Sequence, residues 1–185
     1  KINQNKFIFS VGHLEKRKNF KNLVLAYKIL RNRGITHKLI IAGRDCGEKK
    51  KLNNLIVENG LADYVIIKSD LDDSEINQHY SCCSLFVFPS NYEGFGIPII
   101  EAQSVGRLVI TSSNLKNTAG NGAIYVNPLS VNDIRKKVSN LIKNNYKTRK
   151  LINLGFKNLE KYNLKDIKNN YLNFYNSFYE NIGRN

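Results

Sequence analysis

Pro89-Ser90-Asn91-Tyr92-Glu93-Gly94-Phe95-Gly96-Ile97-Pro98-Ile99-Ile100-Glu101-Ala102 is the stretch that decides the fold. It follows an apolar run, Leu85-Phe86-Val87-Phe88, which stops at a proline. A short continuous apolar run reads as a buried strand, and a proline, having no N–H to give, ends its ladder. Two glycines then permit backbone angles and close approaches that other residues resist. Pro98 suits the first position of a helix, where its missing N–H is not needed. The stretch is therefore strand, glycine loop and helix start, with carboxylates at Glu93 in the loop and Glu101 in the first turns.

In that geometry, backbone N–H groups near Phe95 and Gly96 face an anion at the positive end of a helix. The two carboxylates border the same crevice, where they can accept hydrogen bonds from hydroxyls. Singly, Glu101 reads as a helix-dipole partner and Glu93 as a solvated loop charge. Together they suit a ligand with a phosphate and several hydroxyls, as a sugar nucleotide has. The block resembles the signature of retaining glycosyltransferases of family four, which have the GT-B fold. Their pattern is a strand ending in Pro-Ser, then Tyr-Glu-Gly-Phe-Gly-x-Pro, then a second Glu eight residues after the first. Glu93 and Glu101 have that spacing, and every glycine is in place.

Upstream, Lys6-Phe7-Ile8-Phe9-Ser10-Val11-Gly12 reads as a buried strand, and Asn19 as the N-cap of a helix that Gly34 ends. Phe20, Leu23, Val24, Tyr27 and Leu30 recur along it at helical spacing. Lys18 then lies at the mouth of a helix directly after a strand, its charge directed at whatever anion the dipole attracts. At about 4 Å and an effective dielectric of ~20, such a pair is worth about 4 kcal/mol before desolvation. The bland alternative is a surface lysine, which is the reading for Lys16. Gly12-His13-Leu14-Glu15-Lys16-Arg17-Lys18-Asn19 is similar to the same family's first-loop motif, Gly-x-Leu-x-x-Arg-Lys-Asn. The resemblance assigns the donor diphosphate to Lys18 and Arg17. His13 stands where some members carry arginine, and a phosphate role for it stays open.

Lys38-Leu39-Ile40-Ile41-Ala42-Gly43 is the second strand, 46–58 a helix and Tyr64-Val65-Ile66-Ile67 the third strand. A short helix over 72–81 carries Ile76 and Tyr80 on one face. Its acidic start, Asp72-Asp73-Ser74-Glu75, reads as an N-cap rather than a metal loop. In the family the segment after the third strand lines the nucleobase pocket, which implies a place near Ile67 and Lys68. Leu108-Val109-Ile110 and 123–128 are further strands. Leu115-Lys116-Asn117 departs from the family's Leu-Pro-Glu, so no role is carried to that loop. Helices are expected at about 130–144, 146–157 and 164–182. The last bears Tyr171, Phe174, Tyr175, Phe178 and Tyr179 at one helical spacing, a pattern of packing rather than of a ligand box.

Strands alternating with helices predict an α/β fold, a doubly wound, Rossmann-like parallel sheet with ligands beyond the strand carboxyl ends. The resemblance specifies the C-terminal half of a GT-B fold. Residues 1–185 are expected to form a single nucleotide-sugar-binding domain, with helix 164–182 packing back toward an N-terminal domain that holds the acceptor. The length of 185 residues fits one large domain. The chain has no methionine and reads as a segment of a longer protein. Its opening, Lys1-Ile2-Asn3-Gln4-Asn5-Lys6, has no apolar core, so no secretory signal is expected. Three cysteines, two of them adjacent, give neither a disulfide framework nor zinc spacing, and reduced thiols in the cytoplasm are expected.

The net charge is +14 and unevenly spread. Residues 1–51 hold 14 basic and 3 acidic side chains, 52–134 hold 3 and 9, and 135–185 hold 12 and 3. Solvated helix faces account for most of this. A functional share would attract nucleotide phosphates or an anionic membrane surface. Nucleic acid is not expected as a partner, because no binding motif accompanies the charge.

The reading is the donor domain of a retaining glycosyltransferase that uses a nucleoside-diphosphate sugar, UDP- or GDP-linked. The family's acceptors are glycans or lipid-linked sugars, and its members commonly build bacterial surface polysaccharides. By resemblance, Glu93 is catalytic and binds the donor sugar with Gly94 and Phe95, while Glu101 holds the ribose. Lys18, Arg17 and the amides of Phe95 and Gly96 hold the diphosphate. No metal and no cofactor are expected. A Rossmann oxidoreductase fails because Gly12 stands alone after the first strand and Gly94-Phe95-Gly96 lacks the third glycine. A GT-B epimerase shares the fold but not the carboxylate pair. A basic module for membrane or nucleic acid is the remaining alternative.

Overall fold

In a computed structural model that describes residues 6–143 and 148–182, six strands pair side by side in one parallel sheet. They are Phe7–Val11 (β1), Lys38–Ala42 (β2), Val65–Lys68 (β3), Leu85–Phe88 (β4), Val109–Ser112 (β5) and Ala123–Val126 (β6). The order is β3-β2-β1-β4-β5-β6, so the winding reverses between β1 and β4. Phe9 lies opposite both Ile40 and Phe86, which fixes the register at that point. β1, β4 and β5 are buried along their whole length, as expected where helices cover both faces of a sheet. Their polar residues are satisfied across strands: Ser10 Oγ donates to the Val87 carbonyl at 2.6 Å and Thr111 Oγ1 to that of Phe88 at 2.9 Å.

Phe20–Asn32 (α1), Lys49–Glu58 (α2), Asp73–Cys82 (α3) and Ile97–Ser104 (α4) connect the strands. Lys116–Ala119 (α5), Val131–Lys143 (α6), Thr148–Leu159 (α7) and Leu164–Ile182 (α8) follow. α1 packs between α2 and α6 on one face of the sheet, where Leu23, Val24, Tyr27 and Leu30 meet Ile134, Val138 and Leu141. α3 and α4 cover the other face, with α7 packed on α4. There Phe9, Tyr80, Phe86 and Phe88 form an aromatic chain with centroids 5.2–6.1 Å apart.

Local chemistry moves several expected boundaries. The second helix starts at Lys49 rather than at 46, because the Asp45 carboxylate accepts the N–H groups of Gly47 and Lys49 and holds a turn there. The third helix starts at Asp73, with Asp72 as N-cap in a reciprocal capping box with Glu75. Asn19 does precede α1 but does not cap it. Its φ is 60°, and its Nδ2 donates instead to the carbonyls of Pro89 at 2.9 Å and Pro128 at 2.8 Å. Pro98 is the second residue of α4 rather than the first, behind Ile97. The third strand ends at Lys68 and the fifth at Ser112. The outer ends expected for the sixth and seventh helices, 144 and 146, lie outside the described residues, as do Lys1 to Asn5 and the Phe178 side chain.

The aromatic stripe of α8 is exposed: Tyr171, Phe174, Tyr175 and Tyr179 keep more than half of their surface in solvent. Cys83 is buried, which pushes its thiol up to about 12, while Cys46 and Cys82 are exposed. All three are free thiols. No helix among the described residues is long and apolar enough to cross a membrane.

Candidate functional site

The loops that leave β1 and β4 meet at the point where the winding reverses, the crevice in which open α/β sheets bind ligands. The first is the 3-10 turn Lys16–Lys18, and Gly12 makes room beneath it. A side-chain carbon on Gly12 would lie 3.0 Å from Lys18 Cε, at a φ of +147°. Gly43 is as constrained, since a side-chain carbon there would stand 1.9 Å from the Gly12 carbonyl oxygen. Lys18 is thereby buried, only 8% exposed, with Nζ 5.0 Å from the centre of the Phe88 ring.

The anion that meets Lys18 is Glu93. Lys18 Nζ lies 2.6 Å from Glu93 Oε1, and Arg17 Nη1 lies 2.6 Å from Oε2. Ser90, fully buried, places its Oγ 2.6 Å from Oε1 and 2.9 Å from the Arg17 carbonyl. Asn91 N–H donates to that same carbonyl at 2.7 Å, so the two loops are stitched through backbone as well as charge. Glu15 Oε1 takes the far side of Arg17 at 2.7 Å. Burial pushes the Glu93 carboxyl up, but hydrogen bonds from Lys18, Ser90 and Arg17 outweigh it and hold the group below the usual carboxylate range. The hydrogen bond to Glu93 raises the Arg17 guanidinium in turn. Two cations and two carboxylates make the cluster formally neutral.

Gly94 and Phe95 are exposed, and Gly96 adopts φ 93° as the residue before α4. Neither the Phe95 nor the Gly96 N–H donates a hydrogen bond to a described residue. Pro98 at the second helical position removes one further donor, which leaves the loop amides and Ile97 to face an anion. The loop is braced from behind by parts the sequence reading passed over. Thr118 Oγ1 donates to the Phe95 carbonyl, and the Phe95 ring meets Tyr162 edge-on at 5.4 Å. Thr118 lies in the segment that departs from the family pattern, so its motif carried no signal for this role.

Glu101 does not join the Glu93 cluster. It is exposed on α4, and its Oε2 accepts the hydroxyl of Tyr80 at 2.8 Å. Burial beside that carboxylate raises the Tyr80 hydroxyl far above the ordinary tyrosine value. Tyr80 read as an apolar helix position in the sequence, and only the packing of α3 against α4 makes it a brace. Ile67 and Lys68 are half-buried at the end of β3, two strands from β1, and touch none of the cluster. His13 is exposed in the first loop and engages the cluster only through its backbone, whose carbonyl accepts Glu15 N–H.

Two cavities lie elsewhere. One of about 560 Å³ runs between α1 and α2 and reaches the first loop at Glu15, Lys16 and Asn19. The other, about 910 Å³, includes Phe7, His37, Ser84 and Arg107, at the opposite ends of the strands. The candidate site is thus an open crevice at the strand ends. Among the described residues, no three His, Cys, Asp or Glu side chains gather as metal ligands.

Comparison with known proteins bears on this arrangement. The chain is 31% identical over 127 residues to the O-antigen chain mannosyltransferase B of Escherichia coli, covering 67% of this chain and 33% of that protein. Sucrose-phosphate synthase from Thermosynechococcus elongatus superposes with a TM-score of 0.82 at 22% identity, over 97% of this chain and 47% of that one. Anabaena HepE in complex with UDP and glucose gives 0.82 at 20%, over 94% and 49%. The chain spans about a third of the first relative and half of each structure, and the two structures show the Rossmann-like half of a GT-B fold. The sequence profile described as Glycosyl transferases group 1 matches residues 1–158, and the chain belongs to that family.

Proposed function

We propose that this chain is the donor-binding part of a retaining glycosyltransferase that takes sugar from a nucleoside diphosphate and builds bacterial surface polysaccharide. The observation that carries the proposal is the clamp on Glu93, held by Lys18, Arg17 and Ser90 where two strand-end loops meet. A carboxylate fixed on one side by three donors presents its remaining lone pairs in one direction, suited to sugar hydroxyls. Lys18 Nζ has three donors and gives one to Glu93, so others remain for a diphosphate, with the free amides of Phe95 and Gly96 beside them. These groups stabilise the charge that develops on the leaving diphosphate. Glu101, steadied by Tyr80, takes the ribose hydroxyls, and Ile67 and Lys68 border the base. No metal and no cofactor enter this scheme. HepE, with UDP and glucose bound, and the O-antigen mannosyltransferase support the substrate class and the product class respectively. The acceptor, a glycan or lipid-linked sugar, belongs to a further part of the enzyme that packs on α8, at the cytoplasmic side of the membrane.

Calorimetry with UDP, GDP, ADP and their nucleosides tests the site. Lys18→Ala is expected to weaken a diphosphate by roughly 1.5–3 kcal/mol and the nucleoside far less, with the gap shrinking as salt rises. Glu101→Gln is expected to weaken nucleoside and diphosphate alike and a 2′,3′-dideoxynucleotide hardly at all. Equal losses for nucleoside and diphosphate in Lys18→Ala would remove that lysine from the site.

A further inference from the structure

Folding brings part of each basic end of the sequence onto one face. α1 and α6, 99 residues apart at their last and first residues, lie side by side, with α2 on the other flank of α1. These three helices carry ten cations, nine of them at least partly exposed and Arg135 buried: Lys21, Lys28 and Arg31 on α1, Lys49, Lys50 and Lys51 on α2, and Arg135, Lys136, Lys137 and Lys143 on α6. They carry two carboxylates, Glu58 and Asp133. The opposite layer is balanced: α3, α4 and α7 hold Arg149, Lys150 and Lys157 against Asp73, Glu75 and Glu101.

The cations of the basic layer are not neutralised from within. Among the described residues no cation of α1 or α6 forms an ion pair, and in α2 only Lys51 does, with Glu48. Lys21, Lys50 and Lys136, one on each helix, are exposed and donate to no described side chain. The apolar side chains most exposed beside them are aliphatic, Val57 on α2 and Leu129 just before α6. No exposed aromatic stands on any of the three helices, so the face lacks the stacking surface that single-stranded nucleic acid uses.

We infer that the α2–α1–α6 layer docks on the anionic surface of a lipid bilayer. A broad layer of helices with unpaired lysines and scattered aliphatic side chains matches anionic headgroups in charge and in breadth. Docked sideways in this manner, the chain keeps the strand carboxyl ends clear of the lipid, and the Glu93 crevice stays open along the membrane. The inference goes beyond the donor site and does not depend on it, since the helices contribute none of the residues placed there.

The test is co-sedimentation of the 185-residue chain with phosphatidylcholine vesicles, with and without phosphatidylglycerol. Binding is expected only when phosphatidylglycerol is present. It should disappear when added salt shortens the Debye length from about 10 Å to about 3 Å. Each basic residue at such a surface is worth about fivefold. The triple change Lys21→Gln, Lys50→Gln, Lys136→Gln is therefore expected to cut binding more than tenfold. The matching change on the opposite layer, Arg149→Gln, Lys150→Gln, Lys157→Gln, should cut it less than threefold. Equal losses in the two variants would overturn the inference, since net charge alone would then explain binding. So would a wild-type chain that ignores anionic vesicles, or one that prefers a random-sequence DNA duplex to them. UDP and GDP binding, measured on the same samples, reports the donor site separately.

Discussion

At the scale of residues, Glu93 is the group on which the first and second strand-end loops depend. Its side chain is 8% exposed and is held by Lys18, Arg17 and Ser90. Because its folded pKa lies below the unfolded value of about 4.3, its contribution to stability is complete above that pH and is lost as pH falls through the folded value. Glu93→Gln is accordingly expected to cost about 1–3 kcal/mol at pH 7, where it leaves two buried donors poorly matched. Urea denaturation at neutral and acid pH should show the gap between wild type and variant closing as pH drops below 4.3. A gap that stays constant would mean that the carboxylate is not what the cluster stabilises. Ser90→Ala should narrow the same pH dependence without abolishing it, since Lys18 and Arg17 remain.

At the scale of elements, α4 owes its position to α7, through polar groups buried between them. Gln103 Nε2 donates to the Ala119 carbonyl at 2.9 Å, and Asn158 Nδ2 donates to Gln103 Oε1 at 2.9 Å and to the Thr118 carbonyl at 2.7 Å. Close backbone approach makes those bonds reachable: a side-chain carbon on Gly122 would stand 2.4 Å from Gly155 Cα. Gly122→Ala must push α7 outward and is expected to cost about 1–3 kcal/mol. For a chain of this length that lowers Tm by roughly 2–4 °C per kcal/mol, which calorimetry can read. Because α4 and Thr118 hold the Glu93 loop, the variant should also weaken nucleotide binding. Unchanged binding with lowered Tm would show that the loop is independent of α7.

At the scale of the whole molecule, the chain presents an open crevice at the strand ends and an exposed aromatic stripe on α8. Both features suit a domain that works against a second one, as closure over a donor requires. Residues 1–185 are therefore expected to bind a nucleotide yet to transfer no sugar to an added acceptor, which a radiolabelled donor assay checks. Glycosyl transfer by this chain alone would refute the division of labour, whereas slow donor hydrolysis is consistent with it. Nucleotide affinity should also survive a chelator within about tenfold, equivalent to ~1.4 kcal/mol. A larger loss would place a metal in the site.

The sequence by itself determined the sheet and the motif. Apolar runs such as Leu85 to Phe88, and Phe7 to Val11 interrupted only by Ser10, read as buried strands, and the spacing of Glu93, Gly94, Gly96 and Glu101 carried the family. Such signals are local, set by periodicity and by glycine's freedom, and so survive in one dimension. Long-range partners do not. That Asn19 ties α1 to Pro89 and Pro128 rather than capping it depends on β1 and β4 being neighbours, as does the pairing of Lys18 with Glu93, 75 residues away. Tyr80 becomes a brace for Glu101 only because α3 packs on α4, and Thr118 reaches Phe95 only because α5 returns beneath the loop. Charge behaved in the same way. The sequence placed basic excess at its two ends, and tertiary structure alone laid α1 against α6 and made one face of part of it.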